Sequence, residues 1–427
     1  MLALAKYLRD PLGALPAYAK EYGATFTFPG NPPLVLSGDP AMIHAIYSAD
    51  PDSLEPLSQD MGEVLGRSSV ILLSGTRHRA MRKLLAPPFH GARMRAYGAQ
   101  IVALARERAA RLEVGANVSM LELAQKISLD VILQTIFGVT EPGAMREFGD
   151  VLRDLTNNIS PLIALFPSLR REFGGVGPYA AFLRRRKRLY EALDRLIEAA
   201  RASGPREDVL SLLVAARYDD GAPMSDDEVR DQLVILCFAG YETTAITLAW
   251  AMYALHRPDN AECLTRLREE LRASEDAEPE SVAKLPYLDA VCQETLRLYP
   301  IAPAPSPRRL LRPLTLGAYE LPAGTGVGVA IGLVHYREDL YPEPLRFRPE
   351  RFLERRFSAF EHVPWGGGAR RCLGAALAHY ELKLVLATLL RKTDFRLASS
   401  APERASVRAA NVGPKRGVRM IVERVER

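Results

Sequence analysis

One stretch near the C-terminal end constrains this chain more than any other: Pro364-Trp365-Gly366-Gly367-Gly368-Ala369-Arg370-Arg371-Cys372-Leu373-Gly374. The apolar run after it, residues 375–390, reads as a helix. A thiol just ahead of a helix N-terminus and beside Arg370 is biased toward the thiolate, because dipole and guanidinium both favour negative charge. The three glycines carry no side chains, so a large flat group can approach the backbone. An anionic sulfur facing a flat cofactor points to haem iron held by thiolate. The plainer reading is a glycine turn before a structural cysteine. A phosphate loop is disfavoured, since the required lysine after a second spaced glycine is missing.

The segment resembles the haem-ligand signature of the cytochrome P450 family: an aromatic residue, then Gly, Arg, Cys and Gly at fixed spacing. Here these are Trp365, Gly368, Arg370, Cys372 and Gly374, and Ala378 and Glu381 extend the match. The family usually has Phe where Trp365 stands, and an indole N–H adds a donor that tunes a metal ligand. The resemblance implies haem b with Cys372 as its iron ligand, and O2 as co-substrate.

Three further motifs follow the family's order. Ala239-Gly240-Tyr241-Glu242-Thr243-Thr244 falls in the middle of a long helical pattern. A mid-helix glycine costs roughly 1 kcal/mol relative to alanine, so Gly240 invites an explanation. Room above a flat cofactor at Gly240, and a ladder opened by Thr243, would make a groove for O2 and a water. The bland alternative is a kinked core helix with satisfied polar residues. The resemblance implies Glu242 and Thr243 as the acid–alcohol pair that relays protons. Glu294 and Arg297, three apart on one helix face, and Arg351 resemble the family's structural triad, a buried network without chemistry. His78 and Arg82, at i and i+4, resemble its haem-propionate contacts; alone, such a pair more often marks a solvated face. Arg308 fits a further propionate-binding arginine, with Arg309 as the alternative, and Arg370 adds another cation. Buried carboxylates must be paired in this way.

Composition excludes several classes. The chain has 427 residues, 48% hydrophobic and 25% charged, as ordinary globular proteins do. Its net charge is 56 − 51 = +5, with no long basic tail. That argues against a dedicated nucleic-acid binder and permits an acidic protein partner. Cys237, Cys263, Cys292 and Cys372 are scattered without a CxxC pair, as in a reducing compartment. The N-terminal apolar run is broken by Lys6, Arg9 and Asp10, and no stretch approaches the ~20 uninterrupted apolar residues of a membrane span. The expectation is a soluble, cytoplasmic, bacterial-type protein without a transmembrane anchor.

Ser225-Asp226-Asp227-Glu228 is a capping-box start for a long helix reaching about His256. Strand patterns lie at 25–28, 34–36, 314–321, 326–331 and after Asp394; helices fill most of 76–255. The fold class expected is mainly α with small β-sheets from the two ends. The resemblance makes this a single haem-containing domain across residues 1–427, and a monomer.

The function so implied is monooxygenation: one oxygen atom from O2 enters a C–H or C=C bond. Candidate substrate-lining residues are Leu72, Ile163, Ile235, Phe238, Ile301 and Val412, taken from the stretches 64–73, 161–169, 301–305 and 411–412 and one helix face. Their mostly aliphatic character suggests a fatty acid, terpenoid, steroid or macrolide-like molecule. No flavin or iron–sulfur signature is present, so electrons would come from a ferredoxin or flavodoxin with its reductase. Arg77, Arg79, Lys83, Arg93, Arg95, Arg355, Arg356 and Arg371 are candidate docking cations. The rival readings are a peroxide-driven enzyme or isomerase on the same fold, and a non-catalytic haem carrier or gas sensor.

Overall fold

A computed structural model describes residues 2–57, 61–89, 92–158, 163, 169–172, 174–204, 206–408 and 410–426. The elements used below are β1 (Thr25–Phe28), β2 (Leu34–Ser37), α1 (Pro40–Ser48), β3 (Leu54–Pro56), α2 (Gly75–Leu85), α3 (Met120–Thr135), α4 (Pro178–Ser203), α5 (Asp226–Leu255), α6 (Pro286–Leu298), β4 (Arg308–Leu310), β5 (Gly326–Val329) and α7 (Ala375–Lys392). Helices dominate, as the hydrophobic periods require.

Helix α5 starts where its capping box says it should. Glu228 N donates to Ser225 Oγ at 3.2 Å, and Ser225 N donates to Glu228 Oε2 at 3.0 Å. Two orphan amides are satisfied reciprocally. Leu233, Val234, Cys237, Ala245, Ile246 and Trp250 are all buried, so α5 is apolar around its circumference because protein surrounds it. Among the described residues it is the one helix long and apolar enough to cross a membrane, and two-thirds of that apolar window (67%) lies inside the protein.

Contacts divide the chain into two compact units, each assembled from separated stretches: Met1–Leu57, Met94–Ile127 and Thr243–Arg427 form one, Ser58–Arg93 and Ser128–Glu242 the other. The first holds the sheets. Its five-stranded sheet runs β1-β2-β5-β4-β3, with β2 and β5 parallel and the other pairs antiparallel. Asn117–Ser119 and Thr393–Leu397 flank Arg419–Val425 in a second sheet. Val35, Ile43, Val327, Val329, Val334 and Val363 share one core, which ties the first sheet to the segment leading to Cys372. Helix α1 enters that core from a firm cap: Asp39 Oδ1 accepts from Ala41 N and Met42 N, with Pro40 at the first helical position. The second unit is helical, with α2, Pro142–Asn157, α4 and the first half of α5.

The same first unit contains a buried ionic network. Glu294 on α6 accepts from Arg297 Nε at 2.7 Å, Arg297 Nη2 at 2.9 Å, Arg351 Nε at 3.1 Å and Arg348 N at 2.8 Å. Glu294 and Arg297 are fully buried and Arg351 nearly so. The remaining guanidinium protons go to backbone carbonyls of His335, Pro342, Glu343 and Arg346. Burial presses the Arg351 cation downward in pKa, and Glu294 opposes that pressure. Removing the carboxylate strands two buried cations. Glu294→Ala should therefore lower unfolding free energy by about 3–5 kcal/mol, read as a drop in the urea midpoint; an unchanged midpoint would contradict the network's structural role.

Candidate functional site

The Cys372 loop is shaped by its own backbone. Cys372 N donates to Trp365 O at 2.8 Å, Arg371 N to Gly368 O at 3.2 Å, and Gly366 N to Val363 O at 3.0 Å. The turn needs φ +64 at Gly366 and +59 at Gly368, which only glycine adopts cheaply. A Cβ on Gly367 would lie 2.3 Å from the Tyr47 ring, and one on Gly368 would lie 2.4 Å from the Tyr47 carbonyl. Gly367 and Gly368 therefore admit the end of α1. Gly374, the cap residue of α7, is the position where the backbone opens, with nothing within 4 Å of its notional Cβ. Cys372 is exposed two residues earlier.

Behind the loop stands His335, a residue the sequence reading missed. Val363 N donates to His335 Nε2 at 3.0 Å, and Arg297 Nη1 donates to the His335 carbonyl at 2.8 Å. An acceptor Nε2 means a neutral ring with its proton on Nδ1. Burial holds the His335 pKa well below the usual range, helped by His362 and Arg297. His362 stacks on it at 5.2 Å. Though His362 is only partly buried as a residue, its Nε2 is closed off from solvent, and burial pushes its pKa down to about 3. The path Glu294–Arg297–His335–Val363 thus leads from the buried network into the cysteine loop. Its signal in the sequence was a histidine inside the apolar run 331–336.

On the other side of the loop, Trp365 meets the His379 ring edge-on at 6.3 Å. His379 Nε2 and Lys383 Nζ, both on α7, lie 2.7 Å and 3.0 Å from Asp289 Oδ1 on α6. Burial alone would raise the Asp289 pKa, but its hydrogen bond to His379 and the nearby cations hold it well below the usual carboxylate range.

Ala239, Gly240, Glu242 and Thr243 all lie within the single α-helical element α5. Glu242 and Thr243 are half-buried and Ala239 is exposed. Thr247 Oγ1 donates to the Thr243 carbonyl at 2.9 Å. A Cβ on Gly240 would lie 2.4 Å from Cδ1 of Ile132 on α3. The side of Gly240 where a Cβ would point is taken up by close packing against α3.

The candidate cations fall on different elements. His78 is buried and Arg82 half-buried, one turn apart on α2. Arg370 is half-buried in the single 3-10 turn Gly368–Arg370. Arg308 and Arg309 are adjacent on β4, so their side chains point to opposite faces of the sheet. Arg309 Nε lies 2.8 Å from Glu55 Oε1 on β3, an ion pair whose N–H direction misses hydrogen-bond geometry. Arg308 is half-buried, and burial alone pushes its pKa down to about 10, with no carboxylate beside it among the described residues. An exposed thiol ahead of a helix N-terminus, an open backbone at Gly374 and this unmatched guanidinium suit a flat metal-bearing group with carboxylate substituents.

Of the substrate-lining candidates, Ile301 and Val412 are brought together: Val412 N donates to Ile301 O at 2.7 Å, and a Cβ on neighbouring Gly413 would touch Ile246 of α5. Ile235 and Ile163 are buried, and Leu72 and Phe238 half-buried, in the other unit. Positions 161, 162 and 164–168 lie outside the described residues.

The buried histidines make stability depend on pH. In the unfolded chain they take up protons below about pH 6.5, but the folded protein resists protonation down to much lower pH. The unfolded state then binds more protons, so stability is full above that pH and declines as acid is added. At pH 5 the loss should be about 2 kcal/mol for a fully buried histidine. Urea midpoints at pH 7.5 and pH 5 measure it, and His362→Phe should flatten the slope.

The family model "Cytochrome P450" matches residues 2–415. "Putative cytochrome P450 137" of Mycobacterium tuberculosis is 37% identical over 94% of this chain and 83% of its own length. "Putative cytochrome P450 138" of Mycobacterium bovis is 32% identical over 95% and 90%. The solved structure "Retinoic acid bound cyanobacterial CYP120A1" superposes with a TM-score of 0.82 at 25% identity, covering 96% of this chain and 93% of that one. With Cys372, Glu242, Thr243 and the Glu294–Arg297–Arg351 network in the family's order and a P450 fold around them, the chain belongs to the cytochrome P450 family of haem-thiolate monooxygenases.

Proposed function

We propose that this P450 monooxygenase binds haem b and oxidises a lipophilic small molecule, working as a single-domain, cytoplasmic monomer with electrons from a ferredoxin or flavodoxin and its reductase. The observation that carries the reading is the half-buried Glu242–Thr243 pair on α5, on the same helix as the apolar residues Ile235 and Phe238. The bound retinoic acid in the cyanobacterial relative, an apolar chain with one carboxylate, supports the substrate class.

Haem when bound supplies O2 activation, for the balance RH + O2 + 2 e⁻ + 2 H⁺ → ROH + H2O. In this reading Cys372 gives the thiolate ligand, and Arg308, Arg370, His78 and Arg82 pair with the haem carboxylates. The Thr243 hydroxyl holds a proton at the reacting oxygen, and the Glu242 carboxylate resupplies it from solvent. The apolar residues exclude water and orient the substrate.

Of the candidate docking cations, Lys83 is engaged by Asp219 and Arg355 by Glu361. Exposed Arg356 and Arg371 are better placed to receive an acidic partner.

Two experiments test this. Thr243→Ala should keep haem yet lose about tenfold or more in product per electron pair, the balance appearing as hydrogen peroxide; unchanged coupling contradicts the proton-delivery role. Reductase-supported turnover should slow as salt rises, and a rate indifferent to ionic strength argues against an acidic carrier.

A further inference from the structure

Ahead of α2, the chain makes a short irregular loop that α5 grips at two adjacent residues. Ser68 N donates to Asp231 Oδ2 at 2.8 Å. Gln232 clasps the next turn from both sides, accepting from Val70 N at 2.9 Å and donating through Nε2 to Ser68 O at 2.6 Å. Gln232 is fully buried and Asp231 nearly so. The loop is itself folded to meet them. Ser69 N donates to Gly66 O, and Leu72 N donates to Ser69 O. Gly66 takes φ +85, and its Cβ position would fall 2.1 Å from Asp231 Oδ1, so no larger residue fits under the carboxylate.

The neighbouring charges do not compete for these groups. Arg230 is committed to Asp194 and Asp227. The other end of the segment is fastened too: Glu63 Oε2 accepts from Tyr179 of α4 at 2.6 Å. Opening the clasp would give up both of Gln232's bonds to the loop backbone, and its own fully buried amide would lose those partners, which makes it costly to open. Gln232 precedes Ile235 by three residues and Ala239 by seven, one and two turns along the same helix. The loop carrying Leu72 is thereby registered against the stretch of α5 that carries Ile235 and Phe238.

The geometry points to Asp231 and Gln232 as positioning residues that fix the 66–72 loop in a preformed shape and so set the steric limits of the ligand pocket. This rests on the proposed assignment of Leu72, Ile235 and Phe238 to that pocket. A loop held by paired backbone bonds discriminates by shape; a loose one adapts to its guest.

Two measurements on the haem-loaded full chain test it. Hydrogen exchange should show the Ser68 and Val70 amides protected in the unaltered protein, and exchanging about tenfold or more faster in Gln232→Ala. Spectral titration should then compare imidazole, which needs little room, with the bulkier phenylimidazole. Gln232→Ala should change phenylimidazole affinity about tenfold while imidazole stays within about twofold, and Asp231→Asn, which keeps an acceptor for Ser68, should follow the unaltered protein. Amides at 68 and 70 that exchange freely in the unaltered protein, or equal changes for both azoles, overturn the clasp. Neither readout needs a lipophilic substrate, so failure of fatty acids or terpenoids to bind the unaltered protein would count against the substrate class alone.

Discussion

Everything near Cys372 hangs on one buried carboxylate. Glu294 gathers two guanidiniums and the Arg348 amide with no solvent to share the load. Charges so placed cost several kcal/mol each to desolvate, and only near-complete pairing offsets that. Here it is near-complete: the remaining arginine protons end on backbone carbonyls across 335–346. The network therefore specifies where those loops run, whatever its net contribution to stability. His335 passes that order onward, its carbonyl tied to Arg297 and its ring to Val363. Val363 begins the turn that ends at Cys372.

A rigid mount matters because a thiolate ligand is tuned by what surrounds it. In this chain those surroundings include an indole at Trp365, edge-on to a histidine held by Asp289. The Gly366–Gly368 turn fits against Tyr47 so closely that side chains there would displace α1. Loop, helix and sheet are thereby one packed body on this side of the site, consistent with Val363 and Ile43 sharing a core.

Motifs whose chemistry is local were legible in the sequence. The Ser225–Glu228 box placed the start of α5, Asp39-Pro40 placed the start of α1, and the strands read at 25–28 and 34–36 formed, the second one residue longer. The Glu294–Arg297 spacing announced its pairing, and Arg351 joined it. What stayed hidden depended on partners distant in the chain. Three-residue strands such as Leu54–Pro56 are too short to show a period, and they exist because neighbours pair with them. A missing Cβ shows that something approaches, but Tyr47 and Ile132 as neighbours of these glycines were not nameable from the sequence. His335 and Gln232 looked like ordinary members of apolar runs. Arg308 fitted the spacing with Arg309 as the alternative, and the pairing of Arg309 with Glu55 was not visible in the sequence.

The central claim is that this scaffold presents Cys372 as a thiolate to haem iron. The most direct measurement is the absorption spectrum of the dithionite-reduced protein with and without carbon monoxide. The account predicts a strongly red-shifted Soret band, the signature of thiolate opposite the gas, that disappears in Cys372→Ala. A band at the position given by histidine or neutral thiol ligation, or a protein that takes up no haem, would contradict it.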